Sequence, residues 1–283
     1  SSYEYIEEYL NNLQLSDDLT YAKQRLLTLV QKKKDFEFNR PFQLWVAVKF
    51  LEGLANKPHD NQAITSVLDL ATGSGKTYTF LLLVCILVAS DSQSDSQSPQ
   101  KFNNTLVVVP TTLLQNQTIE KWNNVFEAYQ KLLQLKPMQA DSFAPNSKAK
   151  LQVTCQQTLS MINNENPSSG AKIQHLKQFV SKSTFIVFDE AHLTYRENMV
   201  NCLKTNNGMT MLAVSATAAY QCGPITSVYD EGKKFGSVMQ LPVLDLESAS
   251  RHNIISSIFL TKCHLPITSQ AIIEAPKDKD YEA

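Results

Sequence analysis

A short, glycine-containing polar string stands between two apolar stretches and has the residue types needed to hold phosphate. It follows the apolar run Val67–Leu70 and opens the apolar stretch Lys76–Ala89. Glycines let the backbone curl so that its amides face phosphate oxygens, a lysine there reaches the β- and γ-phosphates, and a threonine hydroxyl can bind Mg²⁺. A glycine turn before a buried helix is the structural alternative, and the general motif has Gly where this chain has Leu70. The string predicts a phosphate-binding loop made of Thr72, Gly73, Ser74, Gly75, Lys76 and Thr77.

An acidic pair follows another apolar run and could complete a phosphate-transfer site. Asp189 and Glu190 come directly after Phe185–Phe188, and His192 follows two residues later. In-line phosphoryl transfer mainly needs positioning and charge neutralisation. Asp189 is therefore a candidate ligand of Mg²⁺ and Glu190 a candidate for orienting the attacking water, with Lys76 as the third catalytic candidate. Such a pair is often only a solvated strand end, but here two predicted strands separate it from the phosphate loop and can bring both to one sheet edge.

Short apolar strands alternate with helical stretches from about residue 64 onward. The predicted strands are Val67–Leu70, Leu106–Val109, Leu151–Thr154, Phe185–Phe188 and Met211–Val214. The predicted helices are Lys76–Ala89, Leu113–Leu133, Gln156–Ile162, Ile173–Val180 and Thr194–Lys204. This alternation is typical of an α/β fold with a parallel sheet and helices on both faces, in which ligands bind beyond the carboxyl ends of the strands. Leucines at helical spacing within residues 3–35 predict a preceding helical segment.

Four further polar strings lie at predicted strand ends or upstream of the first strand. They are Pro110-Thr111-Thr112, Thr154-Cys155-Gln156, Ser215-Ala216-Thr217 and Arg40-Pro41-Phe42-Gln43. Each string alone is ordinary, since Ser-Ala-Thr occurs at many strand exits and Thr-x-Gln at many helix starts. Because the carboxyl ends of parallel strands meet at one edge of a sheet, we expect the first three strings to lie on the same rim as the phosphate loop.

Taken in order, these strings resemble the motifs of superfamily 2 helicases and translocases, over residues 38–265. The resemblance implies a first RecA-like lobe whose Asp-Glu-Ala-His box acts on ATP with Mg²⁺. It also implies residues that link the ATP state to the grip on nucleic acid, namely His192, Ser215 and Thr217. The implied contacts to the nucleic-acid backbone are Pro110, Thr111, Thr112, Thr154 and Gln156. The implied adenine-reading residues are Arg40 and Gln43.

Within the superfamily, the phosphate loop and the string at 40–43 are more similar to restriction-enzyme motor subunits than to RNA helicases named after the Asp-Glu-Ala-His box. This similarity favours DNA over RNA as the partner. A complete motor has a second RecA-like lobe that supplies arginine fingers, and none of the four arginines in this chain follows Gly. We therefore expect an N-terminal helical segment at 1–37, the ATP-binding RecA-like lobe at 38–265, and a tail or linker to a second lobe at 266–283.

The composition and net charge of the chain narrow the class of protein further. The chain has 26 basic and 27 acidic residues and a formal net charge of −1, whereas proteins that grip nucleic acid usually have a basic excess. Any contact with nucleic acid must therefore come from a local part of the surface or be shared with a second lobe.

The cysteines and apolar runs bear on where the protein works. Five cysteines without a CxxC pair favour neither disulfides nor zinc, and the longest apolar run, residues 80–89, is too short to span a membrane. We expect a cytoplasmic protein without membrane contacts, and surface loops at 90–99 and Pro137–Pro145.

Two other functions stay open. The first is a non-motor binding module that uses the ATP-binding lobe as a switch; the near-neutral charge and scarce arginines favour it, whereas Glu190 and the Ser-Ala-Thr string do not. The second is a small-molecule kinase with a phosphate loop, which would need arginine-bearing lid segments. The order of the motifs favours an ATP-driven nucleic-acid motor over both.

Overall fold

The strands lie side by side in the order β3-β4-β2-β5-β6-β1-β7, and every neighbouring pair is parallel. The structure, a computed structural model, describes residues 2–32, 40–56, 63–88, 102, 104–163, 170–203, 209–221 and 226–255. Within them the strands are β1 Ala63–Asp69, β2 Thr105–Val109, β3 Ala140–Asp141, β4 Leu151–Cys155, β5 Phe185–Phe188, β6 Thr210–Ser215 and β7 Gly236–Gln240. The α/β fold with a parallel sheet that the sequence predicts is confirmed.

Helices connect the strands and also precede the first one. In chain order they are α1 Ser2–Asn12, α2 Thr20–Gln31, α3 Pro41–Ala55, α4 Lys76–Leu87, α5 Thr112–Lys121, α6 Glu127–Leu132, α7 Gln156–Ser160, α8 Ala171–Lys182, α9 Ala191–Thr194, α10 Glu197–Asn201, α11 Val228–Lys233 and α12 Leu246–Arg251. A π-helical turn, Trp122–Phe126, joins α5 to α6. The predicted helical segment before the sheet is confirmed as α1 and α2.

Alternating apolar side chains along the strands explain why both faces of the sheet are covered. In β2, Val107 and Val109 belong to one hydrophobic core, and Leu106 and Val108 belong to another. Successive strand residues point to opposite faces, so an all-apolar strand needs a layer of helices on each side. The first core includes buried residues of α1 to α4, and the second includes those of α7 to α11.

Four features differ from the sequence expectations. The helix expected at Thr194–Lys204 is interrupted, because α9 ends at Thr194 and α10 covers only Glu197–Asn201. The expected loop Pro137–Pro145 contains the short edge strand β3. Helix α3 and strand β7 were not predicted from the sequence at all.

Some expectations fall on residues that the structure does not describe. The loop expected at 90–99 and the tail at 266–283 lie outside the described residues. The boundary between an N-terminal segment at 1–37 and a lobe at 38–265 stays a prediction. In the described part of the chain, no helix has both the length and the apolar character needed to cross a bilayer.

Candidate nucleotide-binding site

The loop after β1 has a backbone shape that depends on its glycines. Gly73 and Gly75 both adopt left-handed conformations, with φ of 81° and 86°, which glycine reaches without the steric penalty of a Cβ. The buried Ser74 hydroxyl donates to the Ala71 carbonyl over 2.6 Å and closes the turn. Helix α4 then begins at Lys76, and the first amides of a helix have no partner within it. This region is therefore shaped to receive an anion at the start of α4.

The acidic pair lies directly beyond the end of β5. Asp189 is 5% exposed, and its Oδ1 accepts a hydrogen bond from the Glu190 amide over 2.9 Å. Burial, and then the neighbouring Glu190 carboxylate, raise the pKa of Asp189 to about 6, although the Glu190 amide and the charge of Lys76 oppose the shift. Glu190 has left-handed backbone, with φ of 48°, which turns the chain sharply into α9.

An ion pair joins the phosphate loop to the acidic pair. The Lys76 ammonium lies 3.2 Å from Glu190 Oε1, with the two side chains 12% and 30% exposed. This contact is possible because β6 pairs with both β1 and β5, so three neighbouring strands end at the same edge. The structure thus brings together the two strings that are most specific in the sequence.

A hydrogen-bonded chain connects the acidic box with the string after β6. His192 Nδ1 lies 3.0 Å from the Ser215 hydroxyl and 3.6 Å from Glu190 Oε2. The Ser215 oxygen also accepts the Thr217 amide over 3.0 Å. His192 Nδ1 therefore lies between the Glu190 carboxylate and the Ser215 hydroxyl.

The start of α3 lies against the phosphate loop. Gln43 is 2% exposed, and its Oε1 has no hydrogen-bond partner among the described residues. Its Nε2 is close enough that a Cβ on Gly75 would come within 3.0 Å of it. Arg40 donates from Nη1 to the Ile254 carbonyl over 3.2 Å, which joins the start of α3 to the turn after α12. Both residues thus lie at the nucleotide side of the sheet, although Arg40 already has a backbone partner.

The rim formed by β2 and β4 carries the remaining predicted residues. Thr111 caps α5 by accepting the Leu114 amide over 3.3 Å, and both Thr111 and Thr112 are exposed. Pro110 and Gln156 are half-buried beside them. Thr154, by contrast, is fully buried inside β4. Because its side chain points into the packed core, we do not carry Thr154 forward as a nucleic-acid contact.

Two residues near the site were missed in the sequence. The buried Gln115 accepts the Cys155 amide on Oε1 over 3.0 Å and so fixes α5 to the end of β4. Asp69 ends β1, and burial raises its pKa even though the Ala218 amide and the charge of Lys76 act to lower it. A carboxylate at the end of an apolar strand was the available signal for Asp69. No local sequence pattern indicates the role of Gln115, because its hydrogen-bond partner Cys155 lies 40 residues away in the sequence.

The predicted Mg²⁺ ligands have the chemistry that this ion requires. Asp189 and Thr77 offer oxygen atoms, which this ion prefers. Ionising Asp189 is unfavourable because the carboxyl is buried beside another carboxylate, and a divalent cation would offset that cost. No group of three or more His, Cys, Asp or Glu residues that could hold a metal occurs within the described ranges. Mg²⁺ typically takes one or two carboxylates and completes its shell with water and phosphate oxygens.

This fold and this site define the ATP-binding, RecA-like lobe of a superfamily 2 helicase or translocase. The sequence pattern of the family described as "Type III restriction enzyme, res subunit" matches residues 8–219, which is more than half of the chain. The chain belongs to this family.

Solved helicase structures are similar to the chain at low sequence identity. The UvsW helicase from bacteriophage T4 is 17% identical with a TM-score of 0.42, covering 84% of this chain and 67% of that one. Mss116p, bound to ssRNA and AMP-PNP, is 14% identical with a TM-score of 0.48, covering 84% and 45%. The yeast DEAD-box splicing factor Prp28 is 16% identical with a TM-score of 0.47, covering 82% and 52%. A comparison with curated proteins gave no match.

Proposed function

We propose that this chain binds and hydrolyses ATP to drive movement along nucleic acid, with DNA preferred over RNA. The observation that carries the proposal is the 3.2 Å ion pair between Lys76 and Glu190, which joins the phosphate loop to the acidic box. Membership in a restriction-enzyme res subunit family supports DNA as the partner. The chain spans 45% to 67% of the three solved helicases above, and a second RecA-like lobe is part of the proposal.

The roles of the residues follow from their charges and positions. Lys76 neutralises the terminal phosphates, and the amides at the start of α4 hold their oxygens. Phosphate competes with Glu190 for the Lys76 ammonium, so nucleotide binding releases the Glu190 carboxylate to orient a water molecule. Thr77 and Asp189 would hold Mg²⁺, which supplies neutralisation of the charge that develops on the phosphate oxygens.

Coupling to nucleic acid runs from Glu190 through His192 to Ser215 and Thr217. The 3.0 Å contact between His192 Nδ1 and the Ser215 hydroxyl supports this route. The exposed hydroxyls of Thr111 and Thr112, with the Gln156 amide, suit contacts to phosphate and sugar that position a strand without reading its sequence. Gln115 holds the two parts of this rim together.

The test uses three purified variants and isothermal titration with ATP and Mg²⁺. Lys76→Ala should lower ATP affinity about 100-fold or more, because the main charge facing the phosphates is lost. Glu190→Gln should bind ATP at least as tightly as the unmodified chain and lose hydrolysis, since Lys76 no longer has a carboxylate partner. Lys233→Ala removes an equally charged but 70% exposed side chain and should change neither. Equal ATP affinity in Lys76→Ala and Lys233→Ala would refute the assignment.

A second candidate function is an ATP-dependent switch without motor activity. The hydrogen bonds and ion pairs of the arginine side chains favour it. Within the described residues all four have partners: Arg25 on Val88, Arg40 on Ile254, Arg196 on His192 and Thr226, and Arg251 on Glu247. None is thus available as an arginine finger, and such fingers contribute about 10³–10⁵ in rate in related sites. Nucleic-acid stimulation of ATP hydrolysis separates the two functions, because only the motor requires it.

A further inference from the structure

A groove outside the nucleotide site runs along helix α8. Its opposite wall is the loop that leads into β4, residues 142–150, and the cavity between them has a volume of about 770 Å³. Ala171 and Lys172 line it at the first turn of α8. An adjoining hollow continues the groove to Lys182, at the last turn, and to Asn104 before β2. The groove therefore flanks β4, whereas the phosphate loop follows β1, four strand spacings or about 19 Å across the sheet.

The wall formed by the loop has a fixed shape. Gln152 is fully buried and accepts the Phe143 amide over 2.7 Å, while its Nε2 donates to the Ser147 hydroxyl and to the Ala149 carbonyl over 3.2 and 3.1 Å. Phe143 packs edge-on against His175 of α8, with ring centroids 5.2 Å apart. One buried glutamine and one aromatic anchor thus hold the loop in place, so the groove is formed by the fold itself.

The groove lies in a basic part of a chain that has no basic excess. Residues 133–184 contain six lysines and two carboxylates, against 26 basic and 27 acidic residues in the whole chain. Lys148, Lys172 and Lys182 are exposed along the groove. Among the residues that the structure describes, no carboxylate forms an ion pair with these three. Asp141 accepts the Ser142 amide over 2.7 Å.

Neutral donors complete the groove. Ser142, Asn146, Gln174 and Gln178 line it between the lysines. The Ser142 hydroxyl oxygen is buried and has no hydrogen-bond partner among the described residues. Hydroxyl and amide groups interspersed with lysines are the groups that proteins use on phosphates and sugars.

We propose that this groove binds the phosphodiester backbone of nucleic acid, as a second contact apart from the rim at Thr111, Thr112 and Gln156. The inference rests on the proposed function, which supplies the kind of partner. Lysines that have no ion-pair partner among the described residues attract a polyanion, and each phosphate contact releases a counterion. This site therefore contributes affinity and salt dependence without reading sequence. It also explains how a chain with a net charge of −1 holds an anionic polymer.

The test compares two triple variants by fluorescence anisotropy with labelled duplex DNA at several salt concentrations. The groove variant combines Lys148→Ala, Lys172→Ala and Lys182→Ala. We expect it to reduce the slope of log K against log salt by about 0.9 per lysine and to lower the affinity for DNA about tenfold or more. The control variant replaces Lys131, Lys233 and Lys234 with alanine. Each of these lysines is exposed but paired with an acidic neighbour, so the control variant should bind DNA like the unmodified chain. The loss should be equal for duplexes of unrelated sequence.

The outcomes separate the groove from the nucleotide site, because ATP affinity is measured on the same samples. Unchanged DNA affinity and slope in the groove variant, or an equal loss in the control variant, overturns the groove and leaves the ATPase assignment standing. A chain that binds ATP and no duplex at all also overturns it. If duplex binding depends on the groove lysines while Lys76→Ala leaves ATP affinity unchanged, the groove survives and the proposed function fails.

Discussion

Two glycine residues give the phosphate loop its shape, and one of them is also confined by a neighbour. Gly73 has room for a Cβ, which would make only an ordinary van der Waals contact with Ile255 at 3.6 Å. Gly75 differs, because a Cβ there would lie 3.0 Å from Gln43 Nε2, which is buried. The loop and the first turn of α3 are therefore fitted together at Gly75, and a single methyl group tests this fit.

We predict that Gly75→Ala weakens ATP binding about tenfold without unfolding the chain. The left-handed backbone costs an alanine roughly 1–2 kcal/mol, and about 1.4 kcal/mol corresponds to tenfold in affinity. Gly170→Ala is the matched control, since Gly170 has no atom within 4 Å of a built Cβ and an ordinary φ of −60°. Titration calorimetry and thermal melting measure both variants. Equal ATP affinities in the two would show that the loop does not need this conformation.

At the residue scale, the sequence predicted the site best where charged side chains follow directly after predicted strands. Lys76 and Glu190 could be placed together because parallel strands end at one edge, and their side chains do meet. The burial of Thr154 was not predicted, because exposure depends on packing: in β4 this residue is fully buried. The role of Gln115 was missed because a hydrogen bond to Cys155 depends on how β2 and β4 pair, which no local pattern records.

At the scale of elements, helices and strands with a clear pattern could be predicted, and those without one could not. Helix α3 is apolar nearly all round, with buried residues on most of its turns, so it has no helical period to detect. Strand β7 is half-exposed along its whole length and has no apolar run. Strand β3 is two residues long. Pairing with a neighbour defines these two strands, and the sequence does not show which neighbour it is.

We predict that Gly236→Ala destabilises the sheet edge formed by β1 and β7. Gly236 has φ of 150°, and a Cβ would come 2.3 Å from the Ala63 carbonyl oxygen, which is backbone and cannot rotate away. Backbone strain of this kind costs about 1–3 kcal/mol. Urea unfolding should show the loss, with Gly170→Ala unaffected. An unchanged midpoint for Gly236→Ala would mean that the register of Ala63 with Gly236 is wrong.

At the scale of the whole molecule, the N-terminal helices share the main core with the nucleotide-binding elements. Leu10 of α1, Leu26 of α2 and Leu83 of α4 belong to the same buried cluster. Polar contacts join the same parts, since Arg25 donates to the Val88 carbonyl over 2.9 Å just beyond α4. A region that buries its apolar face only against another region unfolds together with it.

We therefore predict that Leu26→Ala lowers the stability of the entire described lobe by about 2–5 kcal/mol, the usual range for a fully buried leucine. The readout is Trp122, buried in the turn between α5 and α6. A Trp45→Phe background leaves Trp122 as the only tryptophan. Urea unfolding followed by its fluorescence should shift to a lower midpoint in Leu26→Ala, and stay within about 0.5 kcal/mol for Leu246→Ala, which is 48% exposed. The contrary result is an unchanged Trp122 unfolding midpoint in Leu26→Ala, while circular dichroism shows helix loss at lower urea. That result would mean that α1 and α2 unfold as a separate unit.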